Sequence, residues 1–144
     1  MVTRALPRLL LVMAVILLAR PVWADEITRA DQSAFQQVIS DQIAAFNTDD
    51  GVRAYSHAAP VIKQLFPTPD MFMAMVKQGY PPVYRQKSFN FGDVTNDTGR
   101  PEQEVTIVDL NGQVWTAIYS FERQANGSWK ISGCRLVRSP GADV

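Results

Sequence analysis

From Thr28 to Phe46 the apolar residues Phe35, Val38, Ile39, Ile43 and Phe46 recur at steps of three and four, which predicts one stripe of an amphipathic helix. Thr28 followed by Asp31 offers an N-cap. Asn47-Thr48-Asp49-Asp50-Gly51 ends that run, and Asp49 or Asp50 can cap a second helix toward Ala59. Pro60 restarts the chain through Val61, Ile62, Leu65 and Phe66. Thr68-Pro69-Asp70 is a further start signal, with a hydroxyl at the N-cap, proline in the first turn and an acid at the positive end of the dipole. The helix it opens carries Met71, Phe72, Met75 and Val76 and stops by Gly79. Tyr80-Pro81-Pro82 then predicts extended backbone.

After the prolines the period changes to two. Val83–Val94, with Phe89 and Phe91, reads as a strand, and Asp97-Thr98-Gly99-Arg100-Pro101 as a turn. Gln103–Leu110, Val114–Arg123 and Trp129–Arg138 follow as strands, separated by Asn111-Gly112 and Asn126-Gly127, the dipeptide that hairpin turns favour. Three to four helices and a four-stranded antiparallel meander predict an α+β domain over 25–138, with the helices on one sheet face and a flexible tail over 139–144. Trp115, Ala117, Tyr119 and Phe121 form the bulkier, uncharged row of the third strand and are expected to meet the helices. Val114, Thr116, Ile118, Ser120 and Glu122 point the other way, toward water or a homodimer interface.

The first 24 residues change this picture. Arg4 and Arg8 precede the unbroken apolar run Leu9–Ala19, Pro21 breaks it, and Val22-Trp23-Ala24 sets small residues at −3 and −1 of a cut before Asp25. That is the pattern of a signal peptide cleaved after Ala24, and it predicts a periplasmic or secreted protein with no membrane segment after cleavage. Eleven apolar residues are too few to span a ~30 Å hydrocarbon core. Without this segment, which holds three arginines and no acid, 11 basic and 14 acidic side chains leave a net charge of −3. A mildly acidic body argues against nucleic acid as a partner. Cys134 and His57 are each the single representative of their type, which leaves no intrachain disulfide and no metal site to expect. No glycine-rich phosphate loop, nucleophile elbow or His-Glu-x-x-His helix is present, and no cofactor is expected.

The segments Asp49-Asp50-Gly51, Ala58-Ala59-Pro60-Val61-Ile62, Met73-Ala74-Met75-Val76, Gly79-Tyr80-Pro81-Pro82-Val83-Tyr84-Arg85 and Gly127-Ser128-Trp129-Lys130-Ile131-Ser132-Gly133-Cys134 resemble a family of small exported bacterial proteins, domain-of-unknown-function family 4864. The resemblance spans nearly all of the chain after Ala24. It implies a nuclear transport factor 2-like, or cystatin-like, α+β cone, in which a cavity between curved sheet and helices is the default binding site. The family carries no established activity to transfer. His57 stands where the family pattern is more often aromatic, which speaks against a family-wide catalytic histidine.

Which polar groups enter such a cavity depends on hairpin register. A two-residue Asn111-Gly112 turn would bring Glu104, Thr106 and Val108 inward, whereas a three-residue loop with a glycine bulge would bring Val105, Ile107 and Asp109 inward. An inward Glu104 or Asp109 beside Trp115 or Tyr119 would have a raised pKa suited to a general base. His57 falls on a flank of the second helix, at a surface or pocket rim. Tyr55 lies nearer the apolar stripe. Tyr80, Tyr84 and Arg85 flank the prolines, and Arg85, with Arg135, is suited to an anion. The expected ligand-binding set is therefore Tyr55, Tyr84, Arg85, Trp115, Tyr119 and Phe121, with Glu104, Asp109 and His57 as the weaker catalytic candidates. Three functions compete. The first is a non-catalytic domain that binds a small apolar or anionic molecule, or a periplasmic protein, through the cavity. The second is a pocket lyase, isomerase or hydrolase. The third is a dimeric assembly factor acting through Val114 and Ile118.

Overall fold

A computed structural model describes residues 26–140, so the expected signal peptide and most of the expected tail lie outside the described residues. Five helices precede four strands: α1 (Arg29–Asn47), α2 (Gly51–Ser56), α3 (Pro60–Leu65), α4 (Pro69–Gly79), α5 (Pro81–Tyr84), β1 (Ser88–Thr95), β2 (Glu102–Val108), β3 (Val114–Arg123) and β4 (Trp129–Arg138). Thr28 and Asp31 close a reciprocal capping box on α1. Asp50 accepts from Arg53 N at the start of α2, and Thr68 from Met71 N at the start of α4. The architecture is the expected α+β, with a helical layer on an antiparallel sheet of order β1-β2-β3-β4. Among the described residues no helix is long and apolar enough to cross a membrane.

Two elements differ from the sequence expectation. Pro81-Pro82 does not extend the chain; both prolines sit in the first turn of α5, where a fixed φ suits helix initiation and a missing N–H costs nothing. Val83 is accordingly a buried helical residue, and β1 begins at Ser88 instead of Val83. Helix α2 stops at Ser56 because the next residues pair elsewhere: Ile131 N donates to His57 O and Ala59 N to Ile131 O, a short parallel bridge to β4. At the other end, Ser139 N still donates to Val114 O, so pairing continues one residue beyond β4.

The register resolves the alternative left open by the Asn-Gly signal. Val108 faces Val114, Ile107 faces Trp115 and Val105 faces Ala117. Gly112 N donates to Asp109 O and Asp109 N to Gln113 O, a three-residue loop closed by Gly112 at φ 81°. The second hairpin repeats this geometry with Gly127 at φ 85°. Bulges at Gly92-Asp93 in β1 and Ser132 in β4 shift the alternation. As a result Phe89, Phe91 and Val94 share the covered face, as do Ile131, Cys134 and Leu136. Helix α1 lays Phe35, Ile39, Ile43 and Phe46 on that face, with Phe35 stacked on Phe121 at 4.3 Å between ring centroids. Val105, Ile107, Ala117, Tyr119 and Phe121 are buried beneath the helices, while Val114 and Val137 are exposed on the opposite face.

Candidate functional site

Between the helical layer and β3–β4 lies a cavity of about 310 Å³. Its floor is Tyr119 with Ile131, Gly133 and Cys134. Phe46 and Gln42 of α1 form one wall, and Phe72, Met75 and Val76 of α4 another. Ile62, Leu65 and Phe66 close the side formed by α3, and Ala58, Tyr80 and Val83 complete the lining. Local rules place each of these. The α1 and α4 stripes follow the 3.6-residue period, Tyr119 follows strand alternation, and the Ser132 bulge turns Ile131 and Cys134 to the same side. None of the lining residues is charged.

Four groups give this apolar chamber its polar features. Tyr119 is fully buried, its hydroxyl has no partner among the described residues, and burial raises its pKa well above the usual phenol value. Burial likewise raises Tyr80 and pushes the Cys134 thiol up to about 12, so all three remain neutral donors at physiological pH. Gln42 is buried in the middle of the α1 stripe, and its Nε2 donates to Ala54 O at 3.1 Å.

Of the six expected binding residues, only Tyr119 lines the cavity. Tyr55 lies behind the wall, its hydroxyl donating to Phe66 O at 2.6 Å and its ring against Phe72. Tyr84 and Arg85 are drawn to the C-terminal end of α1. The Tyr84 hydroxyl donates to Asp49, the Arg85 guanidinium reaches Phe46 O, and its Nη2 donates to Asp49 at 3.0 Å. These contacts satisfy a helix terminus and fix Asp49 in the left-handed region, φ 53°. Trp115 is held at the hairpin turn, where its Nε1 donates to Asp109 at 3.0 Å. Phe121 belongs to the Phe35–Trp129 cluster.

The catalytic candidates also lie outside the lining. Glu104 is on the uncovered sheet face beside Gly92. Asp109 falls on the covered side of the register but at its very end. There it accepts from Trp115 and from the Asn111 and Gln113 amides, which lower its pKa against a smaller effect of burial, the opposite of a raised general base. His57 caps α2, and its Nε2 meets Asp41, which also pairs with Arg53. Arg135 pairs with Glu102 at 3.0 Å on the uncovered face. Among the described residues no group of three or more His, Cys, Asp or Glu is placed to hold a metal ion.

Sequence reasoning passed over Gln42, although its signal is visible: a polar residue at the centre of the stripe Ile39, Ile43, Phe46. It also passed over the buried Gln103, whose Nε2 donates to Gly92 O and Glu104 O and so satisfies the β1 bulge.

No curated protein and no solved structure matches this chain. A protein-family match does exist. It covers residues 28–144, which takes in every helix and strand described above, and the chain therefore belongs to the family described as Domain of unknown function (DUF4864).

Proposed function

We propose that this protein is an exported, non-catalytic binding domain that holds a small, neutral, largely apolar molecule between its sheet and its helices. The observation that carries the reading is the composition of the cavity wall: about 310 Å³ of space lined by aliphatic, aromatic and a few uncharged polar side chains. Space of this size accepts an aromatic molecule of about 15 to 18 non-hydrogen atoms at interior packing density, at the lower end of small-ligand pockets. A charged ligand would lose its hydration there without a countercharge, since Arg85 and Arg135 are engaged elsewhere. The anionic alternative therefore finds no support in this chamber. Nor does the pocket enzyme, because Glu104, Asp109 and His57 are absent from the lining. Export is supported by the basic, apolar and small-residue pattern of 1–24.

N-phenyl-1-naphthylamine, a neutral dye that fluoresces in apolar surroundings, tests the reading. Saturable fluorescence is expected from the wild-type protein. Met75→Trp, which fills the cavity from a partly exposed position, is expected to weaken it at least tenfold with the circular dichroism spectrum unchanged. Equal dye affinity in the two proteins overturns the proposal.

A further inference from the structure

Gln42 is the polar residue that the apolar stripe of α1 has no packing reason to contain. It is 4% exposed and lines the cavity together with Phe46, Phe72 and Val76. Its amide orientation is fixed, because only the Nε2 end can donate to the Ala54 carbonyl that it meets at 3.1 Å. The carbonyl end of the same amide accepts no hydrogen bond among the described residues. Oε1 keeps accessible surface on a side chain otherwise buried in the cavity wall, and is thus an open acceptor in an apolar lining.

We infer that Gln42 Oε1 is the specificity-determining acceptor of the cavity, and that the ligand is a small neutral molecule bearing a hydroxyl or N–H donor on an apolar body. This inference rests on the cavity reading above. It also says which polar group selects the ligand: the ligand donates to Gln42, and does not principally accept from the Tyr80 and Tyr119 hydroxyls or the Cys134 thiol.

Three bicyclic probes of nearly the same shape separate these possibilities by displacement of N-phenyl-1-naphthylamine. Naphthalene carries no polar group, 1-naphthol carries a donor, and 1-methoxynaphthalene carries an acceptor alone. Wild-type protein is expected to bind 1-naphthol about five- to tenfold more tightly than either of the others, the usual net effect of one neutral hydrogen bond. In Gln42→Met, which keeps the side-chain length without the amide, 1-naphthol is expected to fall to the level of naphthalene, whose own affinity stays within twofold. Equal binding of naphthalene and 1-naphthol by the wild-type protein overturns the inference, and that comparison needs no variant to fold. Binding of 1-methoxynaphthalene as tight as that of 1-naphthol also overturns it, because the selecting group would then be a donor. So does a preference that survives in Gln42→Met. A wild-type protein that leaves the dye dark overturns the cavity reading itself and the inference with it.

Discussion

Asp41 joins the Arg53 guanidinium and the His57 ring, which ties the outer side of α1 to both ends of α2. The Arg53 hydrogen bond, then that of His57, holds the Asp41 carboxyl down from the usual 3.8 to about 2. A carboxyl lowered by folding stabilises the fold above its unfolded value and loses that contribution as pH falls toward its folded one. Asp41→Asn is therefore expected to cost about 0.5–1 kcal/mol at pH 7, a modest figure because Asp41 and Arg53 are each a third or more exposed to screening solvent. The variant should also lose less stability than the wild type between pH 4 and pH 2. Urea midpoints across that range check both, and parallel pH profiles would contradict the assignment. At this scale Tyr119 was legible, since strand alternation alone placed it inward. Tyr84 and Arg85 were not. Their partner Asp49 lies 35 and 36 residues away, and nothing in the proline-rich segment signals a distant helix terminus.

Helix α3 is the element most weakly committed to the core. None of its six residues is buried, its N-cap Ala59 makes no side-chain hydrogen bond, and Leu65 is 65% exposed although it lines the cavity. It is held instead at its ends, by the Ala59–Ile131 pairing and by Tyr55 on Phe66 O. Local opening is cheapest where little apolar surface is released. Amides of residues 62–66 are accordingly expected to exchange at least a hundredfold faster than those of residues 39–46 in α1, and Tyr55→Phe to accelerate them further without affecting α1. Equal protection of the two helices would refute this. The Asn-Gly dipeptides marked both hairpins correctly but not their loop lengths. What selects the three-residue form at the first is Asp109, whose carboxylate accepts the Asn111 and Gln113 amides. Hydrophobic period alone cannot report such a contact, and so it could not decide whether Glu104 or Val105 faced inward.

For the molecule as a whole, the layer arrangement followed from the switch of period near the prolines, whereas the cavity depends on helices and strands meeting across the fold. Cys134 sits where they meet. Its thiol, pushed up to about 12 by burial, holds almost no thiolate at pH 8. Reaction with a disulfide reagent is expected to run at least a hundredfold slower than for a free cysteine, and to accelerate with urea in step with the loss of circular dichroism. Fast labelling of the native protein would mean that the sheet and helices part locally at β4.

The two bulges have a consequence beyond the cavity. They occupy β1 and β4, the outermost strands, while the β2–β3 ladder between them pairs without interruption. A bulge twists a strand and spoils the flat row of amides and carbonyls that a foreign chain would need as a template. On β4 the His57–Ala59 segment also caps the margin at Ile131, and the arginines Arg135 and Arg138 follow further along. Both margins of the open sheet are thus poor templates for lateral pairing with a second chain.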